Sequence, residues 1–297
     1  MSYLIQNDYK KLIQSDNLNQ IIGSDLTILS ALQLTAQSEA VSYLTQKYDT
    51  SKEFSNTSIW DINTIYLGRQ RVYLDAGAYN ATITYAIGVL ILQAGNIYKC
   101  TTAITVGEAF TVSKWLLIGA QYSIFYITLP KPEFNFYTFY LKGAQVFWKD
   151  KTYTCIIPSV SPTHESLLAG GAYYNAPPVN VFPDDLVYGL PYWGVGTPYT
   201  VAAGVLPTDI TKWTAGDNRN QQLVNYCIDI ALYHLHSRIA PRNIPELRVK
   251  RYDDAIKWFK MAGGRGSDTI TADLPLLQPK QGGRIRWGGN VKTINNY

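Results

Sequence analysis

The groups that could carry chemistry in this 297-residue chain are three histidines, three cysteines and 22 Asp and Glu. Their spacing offers little. His234 and His236 lie two apart on an expected helix, about 200° around its axis, so they cannot share a metal ion; one is expected to pack and the other to face solvent. His164 has Glu165 beside it but no partner at a ligand spacing. Cys100, Cys155 and Cys227 form no CxxC pair and are expected to be reduced thiols of a protein made in the cytosol. The stretch AGGRGSDT, residues 262–269, imitates a phosphate loop. It lacks GxxxxGK[ST], follows a helix rather than a strand, and precedes no helix whose N-terminus would hold a phosphate. Asp184-Asp185 and Asp253-Asp254 are adjacent pairs whose side chains diverge. No catalytic residue, cofactor or metal is expected.

Cations are the more informative group. Net charge is +4, but residues 212–297 hold 14 Lys and Arg against 7 Asp and Glu. Arg238, Arg242, Arg248, Lys250, Arg251, Lys257 and Lys260 cluster on and around two expected helices, enough to hold a phosphate backbone without reading bases. Glu246, Asp253 and Asp254 interleave with them, and Asp253 and Lys257 form an i,i+4 pair. Salt bridges between subunits, a solvated face and DNA contact all remain open. Arg284, Arg286 and Trp287 in the glycine-rich tail join the candidate contacts.

The elements that hold these groups follow from periodicity. Asn7 is expected to cap a short helix with Tyr9, Leu12 and Ile13. A longer helix after Gly23-Ser24-Asp25 carries Leu29, Leu32, Ala36, Ala40 and Tyr43 as one apolar stripe. From about Ser51 the period shortens to strands joined by turns, continuing to about residue 215, with a proline-rich stretch over 158–207. Helix returns at Asp217, with Leu223, Tyr226, Cys227, Ile230, Ala231 and Leu235 on one face, and stops before Pro241. Asn243 is expected to cap the next helix, which places Val249, Tyr252, Ile256 and Phe259 on one face and ends at Gly263-Gly264. The fold class is therefore α+β: a small discontinuous helical bundle (1–50 and 216–264), a large β-rich insertion (51–215), and an extended C-terminal arm (265–297) that needs a neighbour in order to fold. Twenty-three Tyr and 7 Trp with only 16% charged residues suit either a β-rich domain or surfaces covered by assembly. The N-terminus has no signal-peptide pattern, and no run approaches 18 apolar residues, so no membrane partner is expected.

An internal repeat lies in the β region. Gly88, Tyr98 and Cys100 recur 55 residues later as Gly143, Tyr153 and Cys155, each set followed by a Lys-Trp pair, at Trp115 and at Trp213. The repeats, near 85–120 and 140–215, resemble the small three-stranded modules of chitin-binding domains and of phage tail and capsid decorations. There the first strands form a hairpin, the Tyr packs inside and the Trp closes the sheet. For Trp115 and Trp148 the choice is between packing and contact with a sugar.

Taken in order, QNDYKKLI, a long helix ending in SYLTQKY, CIDIALYHLHSR, a proline break and RYDDAIKWFKMAGG resemble the head–tail connector or adaptor proteins of tailed bacteriophages, in particular the small helical family typified by phage Mu. The resemblance covers about 50 residues at the C-terminal side and, more loosely, the first 50. It implies a structural virion protein, not an enzyme, forming a ring of usually twelve copies docked under the portal around the DNA channel, assembled in the host bacterial cytoplasm. Its partners would be further copies of itself, the portal, the next neck or tail ring, fibres through the β insertion, and genomic DNA without sequence preference. It further implies packing roles for Tyr252, Ile256, Trp258 and Phe259, and contacts through Arg238, Arg248, Lys250 and Arg251. The alternative class is a carbohydrate-binding decoration or receptor-binding tail protein built on the repeats.

Overall fold

The computed structural model describes residues 2–23, 25–136, 138, 140–156, 182–184, 192–239, 242–265 and 269–277. The fold is α+β, with helices from both ends of the chain packed together and small β-sheets between them. Four of the helices are α1 (Ser15–Ile22), α2 (Leu26–Leu44), α4 (Gln221–Ile239) and α5 (Glu246–Ala262), with a one-turn α3 (Thr50–Glu53) after α2. Leu29, Ala36, Ala40 and Leu44 of α2 meet Leu223, Cys227, Ile230 and Ala231 of α4 and Phe259 and Ala262 of α5 in one buried cluster. The apolar stripe expected on α2 is the face that closes this core, with Leu32 and Tyr43 at its margin. Small residues on the stripe let helices separated by nearly 200 residues approach closely.

Two expected caps differ. The first helix is a 3-10 turn, Gln6–Lys11, whose flanking Ile5 N–H donates to Asp8 at 2.9 Å; Asn7 makes no cap. Pro245, not Asn243, occupies the N-cap of α5, and its carbonyl accepts from Arg248 and Val249. Proline fixes φ near its helical value, which lets it start the turn with no side-chain cap. Asp25 does cap α2, accepting from Thr27 N–H at 2.9 Å. The arm expected from residue 265 begins against the chain's own helical core. Asp49 N–H donates to Pro275 O and Leu277 N–H to Lys47 O, while Leu274 is buried. Residues 278–297 lie outside the described residues.

The β region is built from one module used three times. In the first copy, β3 (Arg71–Tyr73) pairs antiparallel with β7 (Ile124–Ile127), which pairs antiparallel with β12 (Trp213–Ala215). β1 (Thr57–Ile59) adds a parallel edge on β3. In the second copy, β4 (Leu90–Gln93), β5 (Asn96–Cys100) and β6 (Trp115–Ala120) repeat the same order. In the third, β8 (Gln145–Trp148) and β9 (Lys151–Thr154) form the hairpin, and Trp193 bridges to Cys155 where the third strand would begin.

Each copy opens with an aromatic residue, an Asp or Asn, and a Tyr five positions later: Asp61 and Tyr66, Asn80 and Tyr85, Asn135 and Tyr140. Each Tyr hydroxyl accepts from the N–H of its Asp or Asn at 2.6–2.7 Å and lies 3.2 Å from the same residue's carbonyl. Each Tyr ring meets a Trp edge-on, with centroids 5.4 Å apart for Tyr66–Trp213, 5.4 Å for Tyr85–Trp115 and 5.3 Å for Tyr140–Trp193. The Trp always stands opposite a residue at the end of the second strand or just beyond it: Ile127, Cys100 or Cys155. Six positions after each Tyr comes a buried aliphatic: Val72, Ile91 or Val146.

Geometry therefore revises the repeat read from sequence. Trp193, not Trp213, closes the copy containing Tyr140 and Cys155, and Trp213 closes the first copy, whose strands are far apart in sequence. The copies are nested. The second is inserted at the hairpin tip of the first, where Leu74 and residues 122–123 exchange backbone hydrogen bonds. At the equivalent tips of the other two copies, Ala94-Gly95 and Lys149-Asp150 both have positive φ, the tight hairpin turn that matches strand twist. The third copy lies between β7 and β12, whose ends are joined by Thr128 N–H donating to Lys212 O.

Two short strands complete the set: β2 (Tyr66–Leu67) pairs with β11 (Thr200–Val201), and β10 (Thr197–Pro198) with β9. The chain divides into two compact units. Among the described residues, one comprises those of 1–133, 147–152 and 197–277, and the other those of 134–146 and 153–196.

Candidate interaction surface

The basic cluster read from sequence separates into two groups. Arg238, at the last turn of α4, Arg242 beyond it, and Lys250, Lys257 and Lys260 on α5 are exposed, and none makes an ion pair among the described residues. Arg248 is turned inward. Its side chain is 13% exposed, Nη2 donates to Leu12 O at 3.3 Å, and Nη1 lies 3.9 Å from Asp229. Arg251 sits between the groups, 3.5 Å from Asp229 and partly exposed. Burial pushes the Asp229 carboxyl up, and Arg251 and Arg248 oppose that shift. Arg248 thus ties α5 to α4 and to the N-terminal turn, and as a partner contact it is the weakest of the seven. Arg284, Arg286 and Trp287 lie outside the described residues.

The histidines and the expected packing residues are also placed. His234 Nε2 lies 3.0 Å from Glu39 Oε2, and Tyr252 donates to Glu39 Oε1 at 2.7 Å. Tyr233 stacks on Tyr252 at 4.1 Å. Burial, then the bond to Glu39, raises the Tyr252 hydroxyl above the usual phenol range. One carboxylate on α2 thereby fastens α4 and α5. His236 bonds Leu232 O within its own helix at 2.7 Å. Ile256, Trp258 and Phe259 are buried as expected. His164 lies outside the described residues. No group of three His, Cys, Asp or Glu able to hold a metal occurs among the described residues, and no helix there is long and apolar enough to cross a membrane.

Sequence reasoning missed the charged joint beneath this surface. Arg219 has a fully buried side chain; its fork meets Asp8 at 2.7 and 3.0 Å and Asp217 at 2.8 and 2.9 Å, and Nη1 also reaches Tyr3 O. Burial opposes its charge, but the hydrogen bonds to Asp217 and Asp8 outweigh it and hold Arg219 protonated. Beside it Tyr3 donates to Glu53 at 2.8 Å, and Glu53 also accepts from Asn220 N–H. Arg71, the first residue of β3, binds Asn218, Ser55 and Glu53 O. Residues from the N-terminus, the start of the β region and the start of α4 meet here, so this joint sets how the basic helices are held. The only sequence signal was an Asp-Asn-Arg-Asn run immediately before an apolar helix.

Trp115 is 6% exposed and Trp148 7%; Trp115 is packed among Tyr79, Tyr85 and Phe110. A sugar stacks on an open ring face, which neither residue offers. All three cysteines are buried. No protein-family model and no curated protein matches the chain.

Proposed function

We propose that this chain is a structural virion protein, one subunit of a ring in the neck of a tailed phage, acting as the head–tail connector or adaptor between portal and tail. It works by binding and shape, with no chemistry of its own. The observation that supports this most is the closure of α2, α4 and α5 on one core that leaves Arg238, Arg242, Lys250, Lys257 and Lys260 exposed and without an ion pair among the described residues. Cations held on a rigid helical frame suit charged contacts to a neighbouring copy or to the portal, and they tolerate DNA passage without reading its sequence. Further copies in a dodecamer, the portal, and the next neck or tail ring are the partners. The β modules project toward a further ring or fibres, and assembly takes place in the host bacterial cytoplasm.

Size-exclusion chromatography with light scattering, followed by negative-stain imaging of the purified chain with its portal, tests this reading. Closed rings are expected; a chain that stays monomeric at every salt concentration and leaves the portal unbound overturns it. Deleting residues 281–297 should leave a soluble, folded subunit that no longer enters particles. Normal incorporation of that truncation would remove the arm from the assembly scheme. The carbohydrate-binding alternative has no support from the buried Trp115 and Trp148.

A further inference from the structure

The surface of the second module is almost free of charge. Residues 76–120 hold only three charged groups, Lys99, Glu108 and Lys114. All three are partly buried, and Lys114 and Glu108 pair with each other at 2.7 Å. The segment has 25 exposed residues, and every one is Gly, Ala, Ser, Thr, Asn, Val, Ile or Leu. At the usual proportion of about 25–35% charged positions, a solvated surface of that size would carry roughly six to nine. Aliphatic side chains stand there instead: Val106 is 75% exposed, Ile87 66%, Val112 65% and Leu117 52%. Depletion of charge marks the part of a surface that a partner covers.

The strand order adds an open edge. Beside β4 the sheet is continued by a parallel bridge from Ala78 to Leu92, as β1 continues the first module beside β3. β6 is the outer strand on the other side, and no strand pairs with its far edge among the described residues. Folded proteins guard such an edge with a Lys, a Pro or a charge, and β6 has none of these. Its one irregularity is the extra residue Ile118, which is buried in the core shared with the first module. Leu116 and Leu117 are left exposed.

We infer that the second module is a contact surface between copies of this chain, with β6 of one copy laid antiparallel along β6 of another. Charge selects the occupant. A partner bringing Lys or Asp onto this surface would bury them with nothing to pair with. The same surface of a second copy brings none, and two β6 edges satisfy each other's backbone about a two-fold axis. Lys99 lies one strand inside, opposite Leu116. Three strand spacings keep the two Lys99 backbones at least roughly 14 Å apart, beyond the screening length of about 8 Å at physiological salt. This contact stands on the module's surface, independently of the neck-ring reading, whose cations lie on α4, α5 and the loop between them.

Sedimentation of the full chain from about 1 to about 100 µM tests it, since that range brackets micromolar association. Sodium chloride at about 1 M screens the contacts of the basic helices, and concentration-dependent association is expected to persist there. Replacing Leu116→Lys and Leu117→Lys together should weaken that association at least about tenfold, whereas Arg238→Glu should leave it unchanged. A chain that is monomeric throughout at high salt, or an unchanged association in the double lysine variant, overturns the surface. Loss of the high-salt association in Arg238→Glu also overturns it, by assigning the contact to α4. Failure of the neck-ring reading looks different: the portal stays unbound while the high-salt association persists. Should the lysine variant not fold, Leu116→Thr with Leu117→Thr, which keeps strand propensity, carries the comparison. A weakened association then supports the surface, and an unchanged one overturns it.

Discussion

The helical core and the β modules solve the same problem, closing a small hydrophobic cluster, in opposite ways. In the helical core, closure is remote: Leu29 and Ala36 bury against Cys227 and Phe259, and Arg219 reaches Asp8 across 211 positions. Each module instead closes with a local kit of a looped-back Tyr, a hairpin and an edge-on Trp. The difference explains why one region tolerates insertion and the other supplies a single frame. A module whose lock comprises a Tyr, the end of a hairpin and a Trp places no limit on what joins those parts, because loop-closure cost rises slowly with length. In chain order both other copies are inserted within the first, which still has the same register as the second.

The largest effect that would break this contrast is at the charged joint. Arg219→Met leaves Asp8 and Asp217 uncompensated and should cost about 3–5 kcal/mol, read from urea unfolding followed by helical circular dichroism. A loss under about 1 kcal/mol would show that packing alone holds the helices. Next come the Trp locks. Trp213→Ala should cost about 3–5 kcal/mol and speed amide exchange throughout the first module and the joint, whereas Trp193→Ala should speed it only in 134–156 and 192–196. Exchange spreading equally from both would erase the distinction between enclosing and enclosed copies. Tyr66→Phe, Tyr85→Phe and Tyr140→Phe each remove one looped hydroxyl and should cost about 1 kcal/mol each. Unequal costs would mean that the shared geometry hides unequal energetics.

A pH experiment sharpens the comparison further. Burial works against the Asp217 charge, but the Arg219 fork outweighs it and holds the carboxyl below the usual range. Its unfolded value is about 3.9, so its contribution to stability is complete above that pH and is lost as pH falls through the lower folded value. Helical unfolding should therefore become easier below about pH 4, and Asp217→Asn should flatten that limb. The smallest effect on stability is expected at Arg238→Glu, within about 0.5 kcal/mol, although ring formation should fail.

Much of the helical half was legible because a 3.6-residue period survives in Leu29, Leu32, Ala36 and Ala40 and again in Leu223, Cys227 and Ile230. The caps were less so, since Asn243 and Pro245 both suit a helix start and only the backbone path decides. In the β half, Gly88 and Gly143 were visible because both hold φ near +90°, where glycine is favoured, at a constant spacing. Trp193 was hidden by the long segment separating it from Cys155, and Trp213 misled because Lys212 copies the Lys114-Trp115 pair. The first copy could not be read at all, its strands being separated by the other two. Of the interaction surface, the basic residues were legible as composition. The inward turn of Arg248 was not, because it depends on Asp229, a partner on another helix.

Nesting also imposes a timetable on synthesis. The second copy has all its strands once residue 120 has been made, the enclosing copy must wait for β12, and α2 lacks its larger helical partners until α4 and α5 emerge. At about 5–20 residues per second, the apolar stripe of α2 stays uncovered for roughly 10–35 s while the modules fold behind it. The newborn chain therefore carries the apolar stripe of α2 uncovered while the modules fold, and a chaperone that shields residues 26–44 would protect it through that interval.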